Sequence, residues 1–153
     1  MRKNKILLIA LLIFIFIVPQ IKASECLPEE VKIVYEIAKN CNLRAEEEPE
    51  GEDYWKAPYE TERDGGGDCE DLSLWLLYKL TNMGYDCWLV LGTDQTPIWH
   101  VWVRIKIKDG SFWDVDMANR ILVRRLIEIP LGESEYEKLQ NVIERQRKYE
   151  SGE

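Results

Sequence analysis

The sequence predicts an α+β domain, with helices first and an antiparallel sheet after them. Three observations carry this. Apolar residues recur at helical spacing in two segments of the first half, Pro28–Asn40 and Cys69–Met83. From Cys87 onward the pattern changes to short alternating runs, one of them broken by the turn signal Asp109-Gly110. No internal repeat or second compositional block follows the N-terminal segment, so a single domain is expected over residues 24–153.

The chain starts MRKNKILLIALLIFIFIVPQIKAS. Arg2, Lys3 and Lys5 form a basic tip before an apolar run of 13 residues from Ile6 to Val18. That length suits the hydrophobic region of a signal peptide and falls short of a bilayer span. Pro19 breaks the run, and Ile21-Lys22-Ala23 offers an imperfect small-residue cleavage site before Ser24. Residues 1–23 are therefore expected to be a signal peptide or, if uncleaved, an N-terminal membrane anchor. Either way the domain lies outside the cytoplasmic membrane, secreted or membrane-anchored. No small-residue box precedes Cys26, so lipidation is not expected.

The whole chain has 20 Lys and Arg against 28 Asp and Glu, a net charge of −8. Removing the four basic residues of the leader takes the remainder to −12. Such a surface repels nucleic acid and anionic head groups. Nucleic-acid partners are excluded, and membrane contact is left to the N-terminal segment alone. A monomer is expected.

The first helix is Pro28–Asn40, with proline and two acids in its first turn and Val31, Val34, Ile37 and Ala38 on one stripe. Cys26 and Cys41 bracket it and are the plausible disulfide; Cys69 and Cys87 either bridge as a second pair or stay free. Arg44–Asp53 is an acidic connector. Its six acids from Glu46 to Asp53 are either a solvated loop or a preference for a basic substrate. Tyr54–Glu62 reads as irregular, aromatic-rich and packed. The second helix starts at Cys69 and is apolar on most of its circumference, as a central helix must be, and Gly84 ends it. Strands follow at Cys87–Leu91, Ile98–Ile107 and Phe112–Met117, with another near Val123–Ile129. Glu133–Lys148 closes the chain as a polar amphipathic helix.

The chemistry centres on Asp64–Trp75, DGGGDCEDLSLW. A cysteine in the first turn of a helix has free backbone N–H groups and the positive dipole end beside it, which favour thiolate. The three glycines upstream leave room for a substrate backbone. A nucleophilic thiol needs a base, and His100 is the only histidine in the chain. Strand parity puts His100 with Trp102, Arg104 and Lys106 on the more polar face, and Val101, Val103, Ile105 and Ile107 on the core face. The hairpin loop then decides which aspartate meets the histidine. A two-residue loop would put Asp116 on the face away from His100. A three-residue loop, Lys108-Asp109-Gly110 with Gly110 left-handed, pairs Ile107 with Ser111 and Arg104 with Asp114. Asp116 then becomes a diagonal neighbour of His100, roughly 7–8 Å between backbones. The bulged loop is the expectation. Cys69, His100 and Asp116 then form a nucleophile, base and orienter, the logic of acyl transfer.

Asp53–Leu80, DYWKAPYETERDGGGDCEDLSLWLLYKL, resembles the bacterial transglutaminase-like cysteine proteinases. The matching residues are Asp53, Tyr54, Trp55, Pro58 and Glu60, then Gly67, Asp68, Cys69, Glu70 and Asp71. His100–Val103 and Trp113–Asp116 are similar to the wider transglutaminase-like pattern. The resemblance implies a papain-like core, a central helix presenting the cysteine to an antiparallel sheet that carries histidine and aspartate. It places the catalytic residues at Cys69, His100 and Asp116. Trp55 is a candidate to line the cleft and supply or shield the oxyanion site, although an aromatic this close to a core helix is more often packing. Some members are calcium-dependent periplasmic proteases, which would make Asp68 and Asp71 calcium ligands; two acids at a helix start are equally explained by the dipole. No cofactor is otherwise required. The aspartate strand ends Val115-Asp116-Met117-Ala118-Asn119, where the family often has Leu-Asp-Asn.

The reading is an exported thiol enzyme forming an acyl-enzyme at Cys69, a cysteine peptidase or amidase acting on protein or peptide substrates. The alternatives are a protein-crosslinking transglutaminase with an amine acceptor, or an inactive binding and scaffolding module with Cys69 bridged to Cys87.

Overall fold

The computed structural model describes residues 27–47, 53–93, 99–123, 127–129 and 132–152. The leader expected over residues 1–23, and Cys26, lie outside them. Helix α1 (Glu29–Asn40) buries Val31, Val34 and Ala38. A two-residue strand β1 (Arg44–Ala45) pairs in parallel with β2 (Gly66–Gly67).

Between them lies a helix the sequence reading treated as irregular, α2 (Pro58–Asp64). Seven residues are too few for a 3.6-residue period to register. What makes it helical is local. Pro58 occupies the first turn, where its missing N–H costs nothing, and the Glu60 carboxylate reaches back to the Ala57 N–H at 2.6 Å.

Helix α3 (Cys69–Asn82) is central, burying Leu72, Leu74, Trp75, Leu76 and Leu80, with Leu76 and Leu80 at 0% exposure. Each such side chain contributes about 1.5–3 kcal/mol of burial. Its end is closed by Tyr85 N–H donating to Leu80 O at 3.0 Å over a left-handed Gly84. Ser73 Oγ donates to Val101 O at 3.0 Å, fixing α3 on the sheet.

Strands β3 (Asp86–Thr93), β4 (Trp99–Lys106), β5 (Phe112–Asp116), β6 (Ile121–Val123) and β7 (Ile127–Ile129) form one antiparallel sheet in the order β6-β5-β4-β3-β7. The single strand expected near Val123–Ile129 is thus two short ones, on opposite edges. Four strand spacings in a flat sheet would separate those edges by about 19 Å. Val123 and Ile127 are four residues apart, a reach of at most about 14 Å. The sheet therefore curls. Val103, Ile105, Ile107 and Val115 pack on α1 and α3 as expected. The other face was expected to be the polar one, yet Trp102 on it is 0% exposed and its cross-strand neighbour Val90 is also buried.

Helix α4 (Glu133–Ser151) packs through Val142 against Trp55, Ala57 and Leu74, a second small core. Arg145 pairs with Glu60 at 3.2 Å, lies over the Tyr54 ring at 4.5 Å and donates to Trp55 O. Lys138 pairs with Asp53. Among the described residues no helix is long and apolar enough to cross a membrane.

Candidate active site

The hairpin after β4 takes the bulged form. Gly110 N–H donates to Ile107 O at 2.8 Å, Ile107 N–H donates to Ser111 O at 3.0 Å, and Gly110 sits at φ +86°, where a Cβ would be strained. Arg104 consequently faces Asp114, and Ile105 faces Trp113. The two aspartates take separate partners. Asp114 accepts two hydrogen bonds from Arg104, at 2.6 and 2.7 Å. Asp116 Oδ2 meets His100 Nε2 at 2.8 Å.

Asp116 is 3% exposed. Burial raises its carboxyl, but hydrogen bonds from His100 and Asn119 outweigh that and hold it below the usual carboxylate range. Asn119 contributes twice, through its N–H to Oδ1 at 3.0 Å and its amide to Oδ2 at 2.8 Å. Asn119 was missed from sequence as a site residue; an Asp followed three residues later by Asn was the available signal. With Nε2–H facing the carboxylate, Nδ1 carries the lone pair of the neutral ring.

The other half of the site is the start of α3. Asp68 caps the helix, its Oδ1 accepting from Glu70 N at 3.1 Å and Asp71 N at 3.2 Å. Cys69 Sγ lies against the β4 backbone, where the Val101 N–H, next to His100, hydrogen-bonds it. The same thiol donates to Glu70 Oε2 at 3.0 Å. Burial first, then the Glu70 charge and hydrogen bond, push the Cys69 thiol far above its ordinary value, with Val101 N–H pulling the other way. Against the expected lowering by the helix start stand burial and two carboxylates. The first-turn N–H groups are taken by the Asp68 carboxylate, which adds a negative charge of its own, and Glu70 stabilises the protonated sulfur.

Two of the three glycines, Gly66 and Gly67, are closely approached by the protein itself. A Cβ at Gly66 would stand 2.2 Å from Arg44 O, and one at Gly67 would stand 2.2 Å from Asp71 Oδ2. Those two positions are glycine so that β1 and the Asp71 side chain can approach, which leaves no need for a substrate to explain them.

The expected calcium ligands Asp68 and Asp71 each give one carboxylate oxygen to backbone N–H groups. Asp68 Oδ1 caps α3, while Asp71 Oδ1 accepts the Lys56 N–H at 2.7 Å and Asp71 Oδ2 stands 3.7 Å from Lys56 Nζ. Burial pushes the Asp71 carboxyl up to about 7, against the pull of Lys56. Among the described residues no group of three or more His, Cys, Asp or Glu is arranged to hold a metal ion. Asp68 Oδ2 and Asp71 Oδ2 accept none of these N–H bonds, and the Glu70 carboxylate lies beside Asp68.

Trp55 is 5% exposed and packs with Leu74 and Val142, its Nε1 without a partner among the described residues. Tyr54, Pro58 and Glu60 belong to the α2 cap and its tie to α4, so these motif residues hold the fold. Cys69 and Cys87 are both free thiols. Cys87 Sγ lies near Leu77 O, 4.0 Å away, and Leu77 is eight residues along α3 from Cys69, a rise of about 12 Å. Cys41 is also a free thiol, its Sγ donating to Ala38 O at 3.3 Å; its expected disulfide partner Cys26 is outside the described residues.

A family profile described as the transglutaminase-like superfamily matches residues 17–117. No curated protein matches the sequence. Among solved structures, this chain is similar to calcium-bound Legionella pneumophila LapG, at 19% identity and a TM-score of 0.61, covering 76% of this chain and 80% of that one. A second Legionella pneumophila LapG structure gives 19% identity and a TM-score of 0.61 over 75% and 77% of the two chains. At that identity the likeness is one of fold.

Proposed function

Because the chain belongs to the transglutaminase-like superfamily, we propose that it is an exported thiol enzyme, a peptidase or amidase that forms an acyl-enzyme at Cys69 on protein or peptide substrates. The observation that carries this reading is the 2.8 Å His100–Asp116 hydrogen bond, one residue along β4 from Val101, whose backbone favours the Cys69 thiolate.

The chemistry follows from the donor set. His100 Nδ1 takes the thiol proton as the sulfur attacks the amide carbonyl, forming the C–S bond. Asp116, held by Asn119, steadies the imidazolium. The tetrahedral oxyanion collapses, the C–N bond breaks, and the proton on His100 leaves with the amine. Water then attacks the thioester with His100 again as base, which frees the acid and restores the thiol. Because Glu70 holds the resting sulfur as a thiol, deprotonation belongs to the attack step rather than to a standing ion pair. Residues 1–23 are read as the export segment.

A peptidyl vinyl sulfone, followed by intact mass of the full chain, tests this. One adduct at Cys69 that His100→Ala abolishes is the expected result. Labelling of Cys69 no faster than of Cys41 or Cys87 would overturn it. The Glu70–thiol hydrogen bond favours a second reading, a binding module that keeps the fold with a silenced cysteine, and the same failure to label would support it.

A further inference from the structure

We infer that Arg120 is a positioning residue for the His100–Asp116 pair, holding from the end of α1 the turn on which Asn119 braces Asp116. Asp116 pairs with Ile121 across β5 and β6, so Met117, Ala118, Asn119 and Arg120 form the connection. Asn119 makes its two hydrogen bonds to Asp116 inside this turn. Arg120 follows at φ +54°, the one non-glycine residue at positive φ among the described residues. Glycine and asparagine take that region readily, whereas an arginine stays there only when its surroundings hold it.

What holds it is the far end of α1. Arg120 Nη1 donates to Lys39 O at 3.2 Å, and Nη2 donates to Leu43 O at 2.7 Å. Lys39 O is among the last carbonyls of α1, which lack partners within the helix and lie at the negative end of its dipole. The planar fork of a guanidinium serves two such acceptors at once. Met117, 1% exposed, roots the other side of the turn in the core shared with Val34 and Ala38 of α1. A glycine at 120 would suit the backbone and lose both bonds. The arginine is therefore explained by what its side chain reaches, and what it fixes is the seat of Asn119. Its effect on rate rests on the acyl-enzyme reading; its effect on the imidazole does not.

The test uses the full chain with Arg120→Gly, and with Arg120→Asn as a second variant suited to the same φ. His100 is the only histidine, so NMR of the imidazole nitrogens and their proton reads a single ring. Wild type should show the proton on Nε2, protected from exchange by Asp116. Both variants should stay folded with Tm within a few degrees of wild type, yet exchange that proton about tenfold faster. Labelling of Cys69 by the peptidyl vinyl sulfone should slow by on the order of tenfold. Adding Arg120→Gly to Asn119→Ala should change neither reading further, because both substitutions act through Asp116. An unchanged imidazole proton in the folded variants would overturn the inference, as would full additivity in the double variant. A collapse of Tm in both variants would also overturn it, by making Arg120 a residue of overall stability. Labelling absent even from the wild type would defeat the acyl-enzyme reading, while the imidazole comparison still decides the role of Arg120.

Discussion

The two halves of the site are built to opposite electrostatic ends. On the sheet, His100, Asp116 and Asn119 form a chain of hydrogen bonds in which the carboxylate is stabilised in its charged form. At the helix start, the Cys69 thiol is stabilised in its neutral form, by burial and by Glu70. If Cys69 and His100 act as proposed, the base is prepared and the nucleophile is withheld, so substitutions on the two sides should have opposite signs.

The largest effect should come from removing the base. His100→Ala is expected to slow Cys69 acylation by on the order of 10³-fold, read by rapid-quench mass measurement. A loss under about tenfold would mean the sheet half contributes little. Next comes the neighbouring aspartate. Asp114→Ala breaks the buried pair with Arg104 and should cost about 3 kcal/mol in urea unfolding, while the acylation rate of the folded protein stays near wild type. An equal drop in that rate would erase the division between the two aspartates. Smaller again is Glu70→Gln, which removes the charge on the thiol and should lower its pKa by about one unit, speeding iodoacetamide labelling at pH 8 by about tenfold. Slower labelling would mean Glu70 activates the sulfur rather than restraining it.

The smallest effect concerns pH. The folded Asp116 carboxyl titrates below its unfolded value, so its stabilisation is present above an ordinary pKa of about 4 and is lost as pH falls through the folded value. Between pH 5 and pH 2.5, Tm of the wild type should therefore fall more steeply than Tm of Asp116→Asn. Parallel curves would place the carboxylate outside the stabilising network.

Much of this was legible in the chain, for reasons that differ by residue. Helix α3 announced itself through fourteen residues of strong apolar periodicity ending at Gly84. The His100–Asp116 contact followed from one loop, because Asp109-Gly110 with a left-handed glycine sets the register of both strands. Other features have no local signal. Glu70 reads as an ordinary first-turn acid until its rotamer is seen on the sulfur. Lys56 sits in a motif whose named residues are its neighbours, and its partners Asp64, Gly66 and Asp71 assemble only in three dimensions. The burial of Trp102 on the second face of the sheet is a tertiary result that strand alternation does not encode. Helix α2 was missed because a capping side chain, rather than a period, defines it.

The tie between α4 and the Trp55 segment also imposes an order of events. Arg145 and Trp55 are 90 residues apart in sequence, yet Val142 and Leu139 of α4 complete the cover that Tyr59 and Leu89 begin over Trp55, Ala57 and Leu74. A growing polypeptide can therefore build α1, α3 and the sheet while that patch stays wet, and only synthesis of residues 133–151 seals it. A chain stopped short of residues 133–151 would leave the Trp55 cluster without its α4 cover.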